Sequence, residues 1–480
     1  MIFKGLIKIN AVNLEKTTEN IDNGKITSEE SLPITKKKIF RSVKKIEKVK
    51  FLNIVHNLTS TDEQYLYWNE PAFGFSFIAI GKCISIKSNG PDRIEETEKL
   101  ISFLKDSIVS NEDEFNLTSL PLFLGGLKFA PNGNSELWKD FNDSEWFIPK
   151  TILLKYDKDY YQVTSVYSDD ESELSTAEIS FEQLNSLAAN GYPEFKSAKI
   201  VDSNIDDNYE FEFWKDMINS ALESIDNKQI HKVVLSREVQ LLLDREPDID
   251  ILLKQLADRY PYCYIFAFRK NGSIFFGASP ERLAKFSGGT VEADALAGSF
   301  PRGRTLEEDI QLEKELLSNE KNLNEQKAVV DFIKSSFSKF SVDITYPEEP
   351  IIRKLPNIQH LWTPIKAKIN SDKPILSFLK EVHPTPAICG APWSTAMSTI
   401  LNKEKHSRGL FTGAIGWFNL KNEGEFAVAI RSALLKGKNV YAFAGCGIVQ
   451  GSDPNTEFEE TKLKLRPILN LFDYEEKDKS

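Results

Sequence analysis

Apolar and polar or small side chains alternate through Tyr65-Leu-Tyr-Trp68, residues 73–81 and residues 83–86, and this period of two predicts strands. Residues 92–108 carry helical spacing, and further strands are expected around 122–129 and 152–156. Trp214, Ile218, Leu222 and Ile225 share one face of a helix over about 209–225. That helix leads into a strand over 232–241, with Lys232, Val234 and Ser236 on one face and Val233 and Leu235 on the other. Strands over 263–268 and 273–277 are joined by Lys270-Asn271-Gly272, a hairpin turn. Thr305 with Glu308 has capping-box spacing and opens a helical region to about Phe340, interrupted near Ser318. The last hairpin runs over 426–435, turns at Lys436-Gly437-Lys438 and returns over 440–449, before Asp453 and Pro454 cap a closing helix. Residues 1–35 are polar, charge-rich and without period, as in a weakly packed extension.

Composition narrows the class. A chain of 480 residues, 41% hydrophobic and 27% charged, can bury a large core, and no apolar run in it reaches the length of a membrane-spanning helix. The first residues lack a signal-peptide core, and Cys83, Cys263, Cys389 and Cys446 show neither paired nor metal-ligand spacing, so a reducing cytoplasm is expected. A net charge of −11 repels nucleic acid and anionic membranes, so neither is expected as a partner, and any anionic ligand must be held by a local pocket. The basic residues between Lys36 and Lys45 stand alone and read as a solvated face or arm.

Acids and bases punctuate the apolar elements of the second half. Lys232 opens a strand that is apolar on both faces; there it is either desolvated, which favours the neutral amine of a general base, or snorkels to water. Glu281 closes Gly277-Ala-Ser-Pro-Glu281 after an apolar strand; buried, such a carboxyl holds a proton for general-acid work, and exposed it is an ordinary turn residue. Glu325 stands one turn before Val329, near the buried side of its helix. Glu457, Glu460 and Lys464 share a helix face at spacings of three and four: a surface ion pair, or carboxylates for Mg2+. Arg431 interrupts the apolar run 427–435, either at a sheet edge or with a carboxylate to pair it. Gly445, Gly447 and Gly451 allow close backbone approach to an anion and fit bulges and turns equally. His383-Pro-Thr-Pro-Ala387 suits a rigid wall, in which the histidine is structural.

Together these segments resemble the chorismate-utilising enzymes and, within them, the isochorismate synthases. The resemblance rests on Lys232-Val-Val-Leu-Ser-Arg237, Gly277 to Glu281, Leu296-Ala-Gly-Ser299, Pro301-Arg-Gly303 and Ile358-Gln-His-Leu361. It continues through His383 to Ala387, Gly413-Ala-Ile-Gly-Trp417, Ala429 to Ala433, Gly445-Cys-Gly-Ile-Val449 and Gly451-Ser-Asp-Pro454, and on through Glu460 to Lys464. It is dense from about Phe211 to Leu471; Tyr67-Trp68, Leu124-Gly-Gly126 and the stretch from Trp138 to Pro149 resemble the family's less regular first part.

The resemblance implies an α+β fold of two large, mainly antiparallel sheets, stacked and surrounded by helices. Residues 1–35 would be an extension, 36–205 the first part of the fold and 206–475 the chorismate-binding catalytic region, in one intertwined domain. It implies a monomer, and Mg2+ on Glu325 and Glu460 with Glu457 beside them. The metal would hold the ring carboxylate of chorismate, and Arg431, Lys464 and the Gly445 backbone the enolpyruvyl carboxylate. Gly298, Ser299, His360 and Ala387 would line the ring pocket. Lys232 would take a proton from water attacking C2 while Glu281 protonates the departing C4 hydroxyl, giving isochorismate for menaquinone or siderophore synthesis. Two positions depart from the family pattern, Asn322 in place of an acid and Gln326 in place of a histidine, both beside the expected metal. The alternatives are an anthranilate or aminodeoxychorismate synthase subunit, which usually carries glutamine where Lys232 stands, a salicylate synthase, disfavoured by the segment His383 to Ala387, and a silent chorismate-binding homologue, which would have lost a catalytic group.

Overall fold

The computed structural model describes residues 12–13, 37–115, 117, 120–131, 135–179, 198–205 and 208–472. The expected extension lies outside these residues except for Val12 and Asn13, which pair in parallel with Ile84 and Ser85 at one sheet edge. The described strands form sheets of 13 and 11 members. Apart from that pair and the parallel pairing of Lys38–Ile46 with Ile108–Ser110, the ladders are antiparallel.

Early and late parts of the chain meet inside both sheets. In the larger, Tyr264–Lys270 pairs with Tyr65–Glu70; in the smaller, Ala414–Phe418 pairs with Phe123–Leu127. The inward faces interlock. Trp68, Phe77, Phe266, Phe275 and Phe443 of the larger sheet pack with Leu124, Phe147, Ile415 and Trp417 of the smaller, each such burial stabilising the fold by roughly 1.5–3 kcal/mol. Helices Phe51–Leu58 and Ile249–Arg259 cover the outer face of the larger sheet, and Arg93–Leu104, Glu320–Phe337 and Ile375–Val382 that of the smaller.

The helix and hairpin signals fall where the pattern places them. Asn271 and Gly272 both take positive φ, 49° and 81°, in the turn between Tyr264–Lys270 and Ser273–Ser279. Thr305 Oγ1 accepts from the Glu308 backbone at 3.2 Å and opens helix Leu306–Ser318, and the Asn319 side chain caps the next helix, Glu320–Phe337. Asp453 Oδ1 accepts from the Thr456 backbone at 2.9 Å to cap Pro454–Leu469.

One expectation is narrowed and one corrected. Of the two readings of the basic stretch the solvated face holds and the arm does not: Lys38–Ile46 is a strand of the larger sheet, with Arg41 buried and Lys44 and Lys45 turned to solvent. The apolar run from Phe426 to Leu435 is not one strand. Gly424–Val428 belongs to the smaller sheet and Ser432–Lys436 to the larger, and the chain crosses between them at Ala429 to Arg431. Apolar faces on both sides of the crossing hide it from a reading by periodicity.

Candidate active site

The crossing at Arg431 opens into a cleft of about 850 Å3, counting the open solvent at its mouth. Strand Lys232–Leu243 supplies Val234 and Ser236 to its wall, while Val233 and Leu235 face the helical layer behind. Glu281 follows the end of Ser273–Ser279. Gly298 and Ser299 lie in Thr290–Pro301 at a break in register opposite His360 of Ile358–Ile369. Gly298 takes φ +73°, and a Cβ there would come within 3.0 Å of Asn322 Cβ. Gly445 and Gly447 of Asn439–Ile448 sit opposite Ser236 and Val234. Glu325 comes from helix Glu320–Phe337, and Glu457, Glu460 and Lys464 from the closing helix.

Every candidate lines this cleft except Lys232, whose amine reaches it through a neighbour, donating to Glu325 Oε1 at 2.7 Å. Gly447 makes this contact sterically feasible: a Cβ there would meet Lys232 Cε at 2.7 Å and Glu325 Oε1 at 2.9 Å. Burial pushes the Glu325 carboxyl up, but Lys232, with Lys464 and Lys321 further off, outweighs it and leaves it below its ordinary value. The other two carboxylates are matched in the same way. Lys464 Nζ lies 2.6 Å from Glu460 Oε1, and Lys321 Nζ lies 3.1 Å from the buried Glu457. The spacing of Glu460 and Lys464 thus produces an ion pair on the cleft wall, with side chains 26% and 13% exposed.

Glu281 is the counterpart. Its carboxyl makes no hydrogen bond or ion pair with the described residues, and burial, reinforced by Asp294, pushes its pKa up to about 8 despite Arg431, Lys232 and Arg353. It therefore carries a proton at neutral pH. Arg431 is buried at φ +51°, a conformation costly for a side chain of this kind, and among the described residues no carboxylate lies in ion-pair range. The carboxylate partner that one of the two sequence readings offered is not found among the described residues. Arg431 Nη2 donates to His360 Nε2 at 3.3 Å, and its Nε has no partner. Because Arg431 can only donate, Nε2 of His360 is the acceptor and Nδ1 carries the hydrogen, directed at Ser299 Oγ (3.0 Å) and Gly298 O (3.3 Å). Burial, with Arg431 and Lys464 adding to it, holds the imidazole neutral, far below its ordinary pKa.

His383 is structural, as expected: buried, with Nε2 against Thr412 O at 3.1 Å, and lowered to about 4 by burial. Ala387, a few residues on, lines the cleft. Gln326 turns away, donating to Ala295 O and Thr363 Oγ1 at 2.8 and 3.1 Å.

A framework group escaped the sequence reading. Arg408 lines the cleft and donates to Val234 O (2.6 Å), Ile388 O (2.8 Å) and both oxygens of Glu404 (2.5 and 2.9 Å). Glu404 in turn accepts from the backbone and hydroxyl of Ser236. The one signal for this bolt was the i, i+4 pair Glu404 and Arg408, common on any helix surface.

For Mg2+ the donor chemistry fits: three carboxylates on one concave wall, oxygen donors alone, each now neutralised by an ammonium where a hard cation would place its charge. The three do not converge here to within 4.8 Å of one another.

Two apposed sheets holding a cleft with a protonated acid, a buried amine, an anion-seeking arginine and a carboxylate trio define a class. The chain belongs to the chorismate-binding enzymes, and residues 27–473 match the family described as chorismate binding enzyme. It is 33% identical over 438 residues to the isochorismate synthase MenF of Bacillus subtilis (strain 168), across 90% of this chain and 92% of that one. It is also 33% identical over 411 residues to the salicylate biosynthesis isochorismate synthase of Pseudomonas aeruginosa, across 83% of each. The solved structure of the menaquinone-specific isochorismate synthase MenF of Escherichia coli shares the fold, with a TM-score of 0.75 at 20% identity over 91% of this chain and 95% of that one.

Proposed function

We propose that this enzyme is an isochorismate synthase, converting chorismate reversibly to isochorismate with Mg2+. The observation that carries the reading is the pairing of opposite protonation roles in one cleft. Glu281 holds a proton to about pH 8, and the Lys232 amine is kept beside the same space by Gly447. In the forward direction Lys232, acting as the neutral amine and not as the ammonium that pairs with Glu325, takes a proton from the water that bonds to C2. Both ring double bonds shift, the C4–O bond breaks, and Glu281 gives its proton to the departing hydroxyl. One water enters and one leaves, so the product is an isomer.

Arg431, with an unpartnered Nε, and Lys464 offer charge-assisted donors to a carboxylate, and neutral His360 orients the guanidinium without competing for it. Glu325, Glu460 and Glu457 would hold Mg2+, which when bound supplies positive charge for the ring carboxylate. The product is proposed to feed menaquinone, on the strength of the likeness to B. subtilis MenF over 90% of the chain. Quinone and siderophore profiles of a deletion strain would test that branch. The activity itself is tested by incubating purified protein with chorismate and Mg2+ and identifying the product by chromatography. Isochorismate should form and should cease to form in excess EDTA; full turnover in EDTA would remove the metal from the reading.

A further inference from the structure

Away from the cleft, on the outer face of the larger sheet, helices Phe51–Leu58 and Ile249–Arg259 pack together. His56 stands in the last turn of the first, and Asp248 and Asp250 at the start of the second. Their donor atoms all lie within 4.8 Å of one another, the one such trio of metal-ligating groups among the described residues. Two further observations set it apart from an ordinary acidic helix start. Asp248 is the N-cap residue, yet its side chain makes no capping hydrogen bond. Asp250 is wholly buried; its Oδ1 meets His56 Nδ1 at 3.2 Å, but its Oδ2 has no hydrogen-bond partner. A buried carboxylate oxygen left unpartnered beside a second carboxylate is costly unless a positive charge joins them.

We propose that His56, Asp248 and Asp250 bind a divalent transition-metal ion of the Zn2+ or Mn2+ class that clamps the two helices. One imidazole nitrogen with two carboxylates suits such an ion better than Mg2+, and three protein ligands leave room for water. None of the three lines the cleft, so the role is structural: the ion ties segments 194 residues apart and favours the folded state by mass action.

The test uses the full-length protein, stripped with chelator and titrated with Zn2+, and with Co2+ as a visible-absorption probe. His56→Gln alters a partly buried side chain and Asp248→Asn an exposed one, and Glu325→Gln disables the cleft carboxylate. One equivalent of Zn2+ should bind to the wild type and raise its Tm by a few degrees. His56→Gln and Asp248→Asn should weaken that binding by at least about tenfold, the scale for disturbing a metal's surroundings, and His56→Gln should abolish the Co2+ band. Glu325→Gln should retain both signals, and His56→Gln should retain chorismate conversion. Absence of binding or of a Tm shift in the wild type, equal binding by His56→Gln and Asp248→Asn, or loss in Glu325→Gln would each overturn the site.

Discussion

A carboxyl that keeps its proton to about pH 8 is the most informative single group in the cleft, because its state can be checked without substrate. From near 4.5, its ordinary value, up to about 8, native Glu281 holds a proton that the unfolded chain has released. The unfolded state then binds fewer protons, so this group lowers stability as pH rises through that window. Glu281→Gln removes the effect. Its Tm advantage over the wild type should grow from pH 5 to pH 8 in thermal melts, while activity falls by roughly two to four orders of magnitude. A difference in Tm that stays flat with pH would show that Glu281 ionises like a surface residue. Arg431 has the opposite problem, a buried charge awaiting a partner. Arg431→Ala should raise KM and lower kcat/KM about ten- to a hundredfold, as expected for losing a hydrogen bond to a charged group. Stability should not suffer, since the lost guanidinium has no protein carboxylate to leave behind; an unchanged KM would move Arg431 out of the substrate's reach.

At the level of elements, the site depends on where strands stop and where they lack side chains. The face that carries Lys232, Val234 and Ser236 was legible because a strand's period of two needs no tertiary information. The crossing at Arg431 was not, because Gly424–Val428 and Ser432–Lys436 are both buried and apolar although they belong to different sheets. Glutamates at helical spacing were legible as a group, but their lysine partners were only partly so: Lys464 lies on the same helix as Glu460, whereas Lys232 and Lys321 come from other elements. Gly447 illustrates the same limit. Its sequence context suits an anion-binding turn, and its position shows that it makes space for the Lys232–Glu325 contact. Gly447→Ala should therefore displace one of those side chains and abolish most turnover, with a circular-dichroism spectrum like that of the wild type. Normal turnover would mean that the Lys232–Glu325 contact does not matter to the reaction.

Across the whole molecule, both sheets are seamed by early and late strands, so the cleft has no foundation in the second half alone. A fragment starting at residue 206 would leave Tyr264–Lys270 and Ala414–Phe418 without their neighbours and expose the apolar faces that meet Trp68 and Phe147. Such a fragment should aggregate or melt without cooperativity; a soluble fragment with a sharp transition would argue for a separable catalytic domain. The mainly antiparallel, two-sheet plan was legible only through resemblance, since local pattern places strands without saying which sheet receives them. What the assembled molecule does is decided most directly by the source of the new oxygen. Chorismate, Mg2+ and ammonium should be supplied together in 18O-labelled water, to the wild type and to Lys232→Gln, a substitution that keeps hydrogen-bonding reach but cannot take up a proton. The wild type should yield isochorismate carrying one 18O and no aminated product, and Lys232→Gln should be slower by about a hundredfold or more. Unlabelled isochorismate, an anthranilate or aminodeoxychorismate product, or near-normal turnover by Lys232→Gln would contradict a lysine-assisted attack by water.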